Sequence, residues 1–228
     1  MGEGALRYAA DAAAIGRDSV YAIALGWLKD GDAVLDVGCN TGYVGRAARE
    51  KLRVVFDGIE GDAAAAAVAR EAYRSVACVD LSSAPPWPGV SGPYDAVLAL
   101  DVLEHLPDPG RALSALAGLL APGGRLIVSV PNVAHWTVRL GLLVGRFDYV
   151  ETGILDRTHL RFFTRESILE VCAGAGLVVE ETAFTTNAFP LRKLVSHGMR
   201  RKAAALLPGP LAYQFVLRLS PPGFRPVP

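Results

Sequence analysis

The sequence predicts an α/β protein in which a mainly parallel β-sheet carries helices on both faces. Short apolar runs typical of buried strands alternate with helical segments between residues 33 and 130, which is the pattern of successive βαβ units. The first run, at residues 33–37, enters a glycine-containing turn and then a helical segment at 46–51. In parallel sheets, a strand–turn–helix junction of this kind forms a crevice the size of a nucleotide.

Seven apolar runs are candidate strands. They lie at residues 33–37, 54–60, 76–79, 94–100, 125–132, 177–183 and 211–219. An alanine-rich crossover helix is expected at 63–73, and the prolines within 83–89 exclude helix or central strand there. The first five strands should therefore alternate with helices in right-handed crossovers.

Beyond the fifth strand the regular alternation breaks. Asn132 is expected to cap a helix ending at residue 143, and Thr164 to cap a helix over 165–173. Between them lies an irregular stretch at 145–161, and irregular stretches of this length inside a domain are usually functional. The expected parts are a single domain over 1–220, an N-terminal cap helix within 1–30, a lid over 133–163, an insertion over 187–210 and a flexible tail over 221–228.

The composition excludes several classes of protein. Twenty-three basic and 23 acidic residues give a formal net charge of zero, so no global field favours nucleic acid or an anionic membrane. No secretion signal and no apolar run of the roughly 18 residues that a membrane span needs is evident. Three cysteines make a disulfide framework improbable. We therefore expect a cytoplasmic monomer or homodimer that acts on a small molecule, with nucleic acid an unlikely substrate.

The turn after the first strand resembles a known cofactor motif. Asp36, Gly38 and Gly42 have the spacing Asp-x-Gly-x-x-x-Gly, which is similar to motif I of the class I S-adenosylmethionine-dependent methyltransferases. Acids at the ends of the next two strands, Glu60 and Asp80, complete the family pattern. The resemblance implies a Rossmann-like, seven-stranded sheet with an antiparallel last strand and a lid after strand five.

The same resemblance implies which residues hold S-adenosylmethionine. Glu60 would accept hydrogen bonds from both ribose hydroxyls, Asp80 would lie beside the adenine amino group, and Arg17 would approach the methionine carboxylate. The full set of expected cofactor-binding residues is Arg17, Asp36, Gly38, Cys39, Asn40, Gly42, Glu60, Gly61, Asp80, Leu81, Leu100 and Asp101. Asn40 replaces a glycine of most family members, and asparagine tolerates left-handed backbone conformations well.

Three of the four histidines fall where substrate should bind, beyond the carboxyl ends of the strands. His105 follows strand four, His135 follows strand five, and His159 lies in the irregular stretch. We favour His159 as the general base, oriented by Asp156, with His105 as the second choice. Each could instead be structural. The candidate catalytic residues are His159, His105, Asp156, Glu104 and His135.

Two further patterns concern the acceptor. The sequence Asp101-x-x-Glu104-His105 resembles the acid-x-x-Glu-His pattern of the ubiquinone-pathway O-methyltransferases and the small-RNA 3′-terminal methyltransferases, which bind a divalent ion. With His135, these residues could hold a cation, but Asp101 is shorter than the usual glutamate, and no metal is expected. Residues 153–164 resemble a signature frequent in methyltransferases of bacterial cell-surface polysaccharide and secondary-metabolite pathways.

The expected function is therefore methyl transfer from S-adenosylmethionine to a small molecule, with a hydroxyl oxygen as the favoured acceptor because histidines surround the site. N- or C-methylation is the first alternative. A nicotinamide-dependent oxidoreductase would need a second glycine at Asn40, and a non-catalytic binding protein would have no reason to retain the acids of the cofactor cradle.

Overall fold

The computed structural model describes residues 16, 18–190 and 193–223. Its strands are β1 (Ala33–Val37), β2 (Val55–Glu60), β3 (Ser75–Cys78), β4 (Tyr94–Leu100), β5 (Leu120–Pro131), β6 (Val178–Thr185) and β7 (Gln214–Ser220). Its α-helices are α1 (Val20–Leu25), α2 (Tyr43–Arg49), α3 (Ala63–Ala69), α4 (Pro109–Ala117), α5 (Trp136–Leu143), α6 (Arg165–Gly174), α7 (His197–Leu206) and α8 (Pro208–Leu211).

The seven strands form one sheet in the order β3-β2-β1-β4-β5-β7-β6. β1 pairs in parallel with β2 and β4, whereas β7 runs antiparallel to both β5 and β6. The predicted Rossmann-like sheet with an antiparallel last strand is confirmed. The chain reverses its direction across the sheet at β1, so the carboxyl ends of β1 and β4 border a crevice, which is where ligands bind in open α/β sheets.

The core consists of two apolar layers, one on each face of the sheet. Leu35 and Val37 of β1 point into one layer and Val34 into the other, because alternate residues of a strand face opposite sides. Since both faces are covered by helices, the central strands are apolar throughout.

Several element boundaries differ from the sequence-based expectation. The last strand begins only at Gln214, because the prolines at 208 and 210 fit the first turn of α8 and not a strand. The cap of α5 is His135, whose ring nitrogen accepts from the Thr137 N–H at 3.4 Å. The expectation that Asn132 caps this helix is wrong, because its side-chain amide donates to the carbonyl oxygens of Gly209 and Ala212.

Other local expectations are confirmed. Thr164 caps α6 in a reciprocal capping box with Ser167. The described part of the predicted N-terminal helix is α1, capped by the Ser19 hydroxyl, while residues 1–15, Arg17 and residues 224–228 of the predicted tail lie outside the described residues. All three cysteines are free thiols. Across the described ranges, no helix combines the length and apolar character required to cross a bilayer.

Candidate active site

The turn between β1 and α2 has an unusual backbone. Gly38, Asn40 and Gly42 all have positive φ angles of 70°, 48° and 80°, a region that glycine and asparagine tolerate best. A Cβ atom at Gly38 would lie 2.9 Å from a methyl group of Val102, so this position has no space for a side chain. The turn therefore brings bare main chain to the edge of the crevice.

Glu60, at the end of β2, fixes the position of this turn. Its two carboxylate oxygens accept hydrogen bonds of 2.8 Å from the main-chain N–H groups of Asn40 and Asp62. Asp80, after β3, is exposed and accepts from the N–H and hydroxyl of Ser82 at 2.8 and 2.7 Å. These hydrogen bonds lower the pKa of Asp80, so its carboxylate is ionised at neutral pH.

These residues border a first cavity of about 270 Å³, which we name the cofactor cavity after the expected cofactor-binding residues in its lining. It is lined by Gly38, Glu60, Gly61, Asp80, Leu81, Ser82, Asp101, Val102, His105 and Leu106. Six of the residues expected to bind the cofactor therefore lie together around one space.

Three other residues of the expected cofactor set, Asp36, Cys39 and Gly42, are not part of this lining. Asp36 is buried and accepts a 2.5 Å hydrogen bond from the Tyr73 hydroxyl, and burial raises the pKa of Asp36 to about 7. Cys39 is buried against Gly58. Gly42 lies close to Ala69 of α3, because a Cβ atom added at Gly42 would be 3.2 Å from the Cα atom of Ala69. In this structure these three positions shape and support the turn.

A second cavity of about 310 Å³ adjoins the first and shares Gly38, Asp101 and His105 with it. We call it the acceptor cavity, and it is lined by Tyr21, Gly38, Asn40, Tyr43, Leu100, Asp101, Glu104, His105, Pro131, Thr152, Gly153, Asp156, His159, Tyr213 and Gln214. The lining of the acceptor cavity includes three carboxyl groups and two imidazoles. Among the described residues, no lysine or arginine belongs to this lining.

Asp101 stands where the two cavities meet. Its backbone has a φ of 54°, and its carboxylate accepts from the Ser129 hydroxyl at 2.7 Å and from the Gln214 amide at 2.9 Å. Burial raises the pKa of Asp101, while these hydrogen bonds oppose the rise. Sequence reasoning missed Ser129 and Gln214, because neither belongs to a recognisable motif.

Glu104 is the most unusual group of the site. Its side chain is 1% exposed, and neither carboxylate oxygen has a hydrogen-bond partner within the described part of the chain. Burial and the charge of Asp101 raise the pKa of Glu104 well above its usual range. An unpaired buried carboxyl group is costly, so this position is suited to a ligand that brings a donor or a cation.

The rings of His105 and His159 meet edge to face beside Glu104, with centroids 4.9 Å apart. Nδ1 of His159 lies 3.0 Å from the carbonyl oxygen of Ile154, and Nδ1 of His105 lies 3.2 Å from that of Thr158. Because a carbonyl oxygen can only accept, each neutral ring carries its proton on Nδ1 and keeps its lone pair on Nε2. Burial, with a smaller contribution from His105, lowers the pKa of His159.

The described hydrogen bonds of Asp156 lie within its own loop. Its carboxylate accepts from the N–H and hydroxyl of Thr158 at 2.8 and 2.7 Å, whereas the ring of His159 is oriented by a main-chain carbonyl. Asp156 has only a minor raising effect on the His159 pKa, which is lowered overall. Asp156 therefore supports the loop whose Thr158 carbonyl holds His105.

His135 is not part of this group, and the structure does not bring it together with Glu104, His105 and His159. The ring is fully buried at the start of α5, with Nδ1 2.8 Å from the Thr137 hydroxyl and an edge-on contact with Tyr213. Burial lowers the pKa of His135 to about 4. The potential metal ligands that do converge are Glu104, His105 and His159, whose ligand atoms all lie within 4.8 Å of one another.

Comparisons with known proteins agree with this architecture. A family model described as a methyltransferase domain matches residues 8–182. The chain is 33% identical to the ubiquinone biosynthesis O-methyltransferase of Thiobacillus denitrificans, over 72% of each chain. It is 29% identical to that of Aeromonas salmonicida, over 76% of this chain and 79% of the relative.

A solved S-adenosylmethionine-dependent methyltransferase from Thermotoga maritima has the same fold. It superimposes with a TM-score of 0.58 and 18% identity, over 88% of this chain and 87% of that one. The sheet order, the extent of the family match and the identity to the curated relatives lead to one assignment. The chain belongs to the class I S-adenosylmethionine-dependent methyltransferases.

Proposed function

We propose that this methyltransferase acts on a hydroxyl oxygen of a small molecule, in a secondary-metabolite or cell-surface sugar pathway. The observation that carries the proposal is the group of Glu104, His105 and His159 at the acceptor cavity. A hydroxyl group must lose its proton as it is methylated, whereas an amine needs only to arrive uncharged. The O-methyltransferase names of the two bacterial relatives favour the same acceptor atom.

S-adenosylmethionine supplies a methyl group that is already activated on a sulfonium ion. We assign its adenosine part to the cofactor cavity, where Glu60 would accept from the ribose hydroxyls and Asp80 would lie beside the adenine. Gly38, which has no side chain, leaves room for the ligand there. The remaining task of the chain is to align the acceptor with the methyl carbon at about 3–3.5 Å.

His159 is the residue that we assign as general base. Its Nδ1 is held by the Ile154 carbonyl, so Nε2 is the basic nitrogen. Its lowered pKa keeps the ring neutral near pH 7, and only the neutral ring can take up a proton. His105 is held in the same tautomer by Thr158 and is the second candidate.

A divalent cation at Glu104, His105 and His159 is a second candidate for the same step. Metal-binding histidines usually donate their other ring N–H to a carbonyl or carboxylate, as both rings do here. Glu104 has two unpartnered oxygens beside them. A bound cation would lower the pKa of an acceptor hydroxyl that coordinates it.

Methyl transfer from labelled S-adenosylmethionine to a panel of glycosides, phenols and carboxylic acids tests the proposal. We expect a hydroxyl compound to be methylated, and His159→Ala to lose about 10²–10⁴-fold in turnover while its affinity for adenosylhomocysteine is unchanged.

A metal-free preparation distinguishes the histidine base from the divalent cation. Activity that disappears with a chelator and returns with Mg²⁺ or Mn²⁺ indicates the cation, and activity that a chelator leaves unchanged indicates the histidine base.

A further inference from the structure

The surface around the mouth of the acceptor cavity is unusually apolar. Large hydrophobic side chains are exposed on α5 and the loop after it, including Leu143 at 80% and Val144 at 71% of their accessible area. The exposed members are Leu140, Leu142, Leu143, Val144, Phe147, Tyr149, Val150 and Leu160, which we call the apolar rim. Thr152 and Gly153 of the same loop line the cavity. Exposed apolar side chains concentrated in one part of the surface usually mark an interaction site.

The junction of α7 and α8 adds to this surface. α8 packs against α5, and the Asn132 amide after β5 donates to the carbonyl oxygen of Gly209 in α8 at 2.7 Å. Leu206 and Leu207 at this junction are 82% and 59% exposed. Two chain segments that are distant in sequence therefore present hydrophobic side chains from neighbouring helices.

Positive charge is concentrated in the same two segments. Residues 133–163 and 187–210 together hold nine lysines and arginines and three acids, whereas the whole chain holds 23 of each sign. The nine are Arg139, Arg146, Arg157, Arg161, Arg192, Lys193, Arg200, Arg201 and Lys202, and the three acids are Asp148, Glu151 and Asp156. Arg157 is ion-paired with Glu151 and Arg200 with Asp18, and Arg192 lies outside the described residues, so six bases of the described ranges carry the excess. The zero net charge of the chain thus conceals a local excess of positive charge beside the apolar rim.

We propose that the apolar rim and this basic region dock the enzyme on an anionic lipid surface. Exposed leucine and aromatic side chains flanked by lysine and arginine are the features by which a protein lies on a bilayer without crossing it. A second copy of the chain fits the surface less well, because a two-fold interface would set the two basic regions against each other. A nucleic acid would be attracted by the charge but would leave the leucines without a partner.

A flotation experiment with the full chain tests the proposal. It uses vesicles of phosphatidylcholine alone and anionic vesicles of phosphatidylcholine with phosphatidylglycerol. We expect at least tenfold stronger partition to the anionic vesicles, decreasing with salt. Leu143→Ser with Val144→Ser should reduce it at least tenfold, because each apolar side chain contributes to insertion. Arg201→Glu with Lys202→Glu should reduce it by a similar factor.

Control variants make comparable changes elsewhere on the surface. Val68→Ser with Val178→Ser alters two exposed valines outside the apolar rim, and Arg49→Glu with Lys51→Glu alters two exposed bases beside α2. Both controls should bind vesicles like the wild type. Only variants whose free energy of unfolding equals that of the wild type are compared. Absence of binding to either vesicle, or equal loss in rim and control variants, would overturn the proposal. A stable dimer that the rim variant dissociates, with no vesicle binding, would assign the surface to self-association instead.

Discussion

The side-chain amide of Gln214 donates to both carboxylate oxygens of Asp101 at 2.9 Å, although the two residues are 113 positions apart. Gln214 is the first residue of the antiparallel strand β7, and Asp101 follows β4 with a left-handed backbone. The contact fixes a half-buried carboxylate at the boundary between the cofactor and acceptor cavities. The last strand thus contributes directly to the candidate site.

Removing this donor should destabilise the protein in a pH-dependent manner. Gln214→Leu leaves the ionised Asp101 with one donor fewer, and we expect a loss of about 1–3 kcal/mol in the free energy of unfolding at pH 8. The loss should be smaller at pH 5 than at pH 8, because acid favours the protonated carboxyl group, which needs the donor less, and burial raises the pKa of Asp101. Urea unfolding at both pH values measures this. An equal loss at pH 5 and pH 8 would show that only packing was changed.

The role of Glu60 in cofactor binding is tested by Glu60→Gln. The substitution removes the charge that would accept from the ribose hydroxyls, and affinity for adenosylhomocysteine should fall by about 1.5–3 kcal/mol. Calorimetry on the variant, with the exposed Glu71→Gln as control, gives the number. If both variants bind as the wild type does, Glu60 only holds the turn through Asn40 and Asp62.

The free energy of unfolding should fall as the pH rises, because Asp36 ionises less readily in the folded protein than in the unfolded chain. Its pKa is about 7 in the folded protein and ordinarily 3.8, so the unfolded chain releases the proton first and stability falls between pH 4 and pH 7. Asp36→Asn cannot ionise, so it should be more stable than the wild type above pH 7, by up to about 4 kcal/mol, and the difference should vanish near pH 4. Urea unfolding at pH 4.5 and pH 8 checks this, with the exposed Asp148→Asn as control. A difference independent of pH would contradict it.

His135 should make the protein sensitive to acid. Burial lowers its pKa to about 4, while the unfolded chain takes up a proton near pH 6.5, so stability is present above pH 6.5 and is lost as the pH falls toward 4. His135→Asn retains a residue that caps helices well and should lose less stability between pH 7 and pH 5 than the wild type. Thermal unfolding at the two pH values is the measurement, and identical losses would argue against a buried neutral imidazole.

The loop between α5 and α6 should have two dynamic regimes. The main-chain N–H groups of Leu160 and Arg161 donate to the Glu104 carbonyl oxygen at 2.8 and 3.0 Å, so this end is attached to the site. Residues 142–152 are exposed. Hydrogen exchange in the unliganded protein should be fast over 142–152 and slow at Leu160 and Arg161. Uniform protection across the loop would contradict a lid that opens.

Local signals made much of the site predictable. Glu60 and Asp80 each follow an apolar strand, and the ends of parallel strands meet at one edge of the sheet, so sequence order alone brings them together. Gln214 could not be found in this way, because its contact with Asp101 depends on the register of an antiparallel strand far along the chain. His135 and His159 both follow β5, and only the path of the intervening loop decides which one reaches Glu104.

The proposed methyl transfer to oxygen is tested most directly by the identity of the methylated atom. The enzyme is incubated with S-adenosylmethionine carrying a carbon-labelled methyl group and a small-molecule extract of its source organism. Nuclear magnetic resonance then identifies the atom bonded to the labelled carbon in the product. We expect an oxygen, with the signal lost in His159→Ala. A label bonded to nitrogen or carbon would contradict the account.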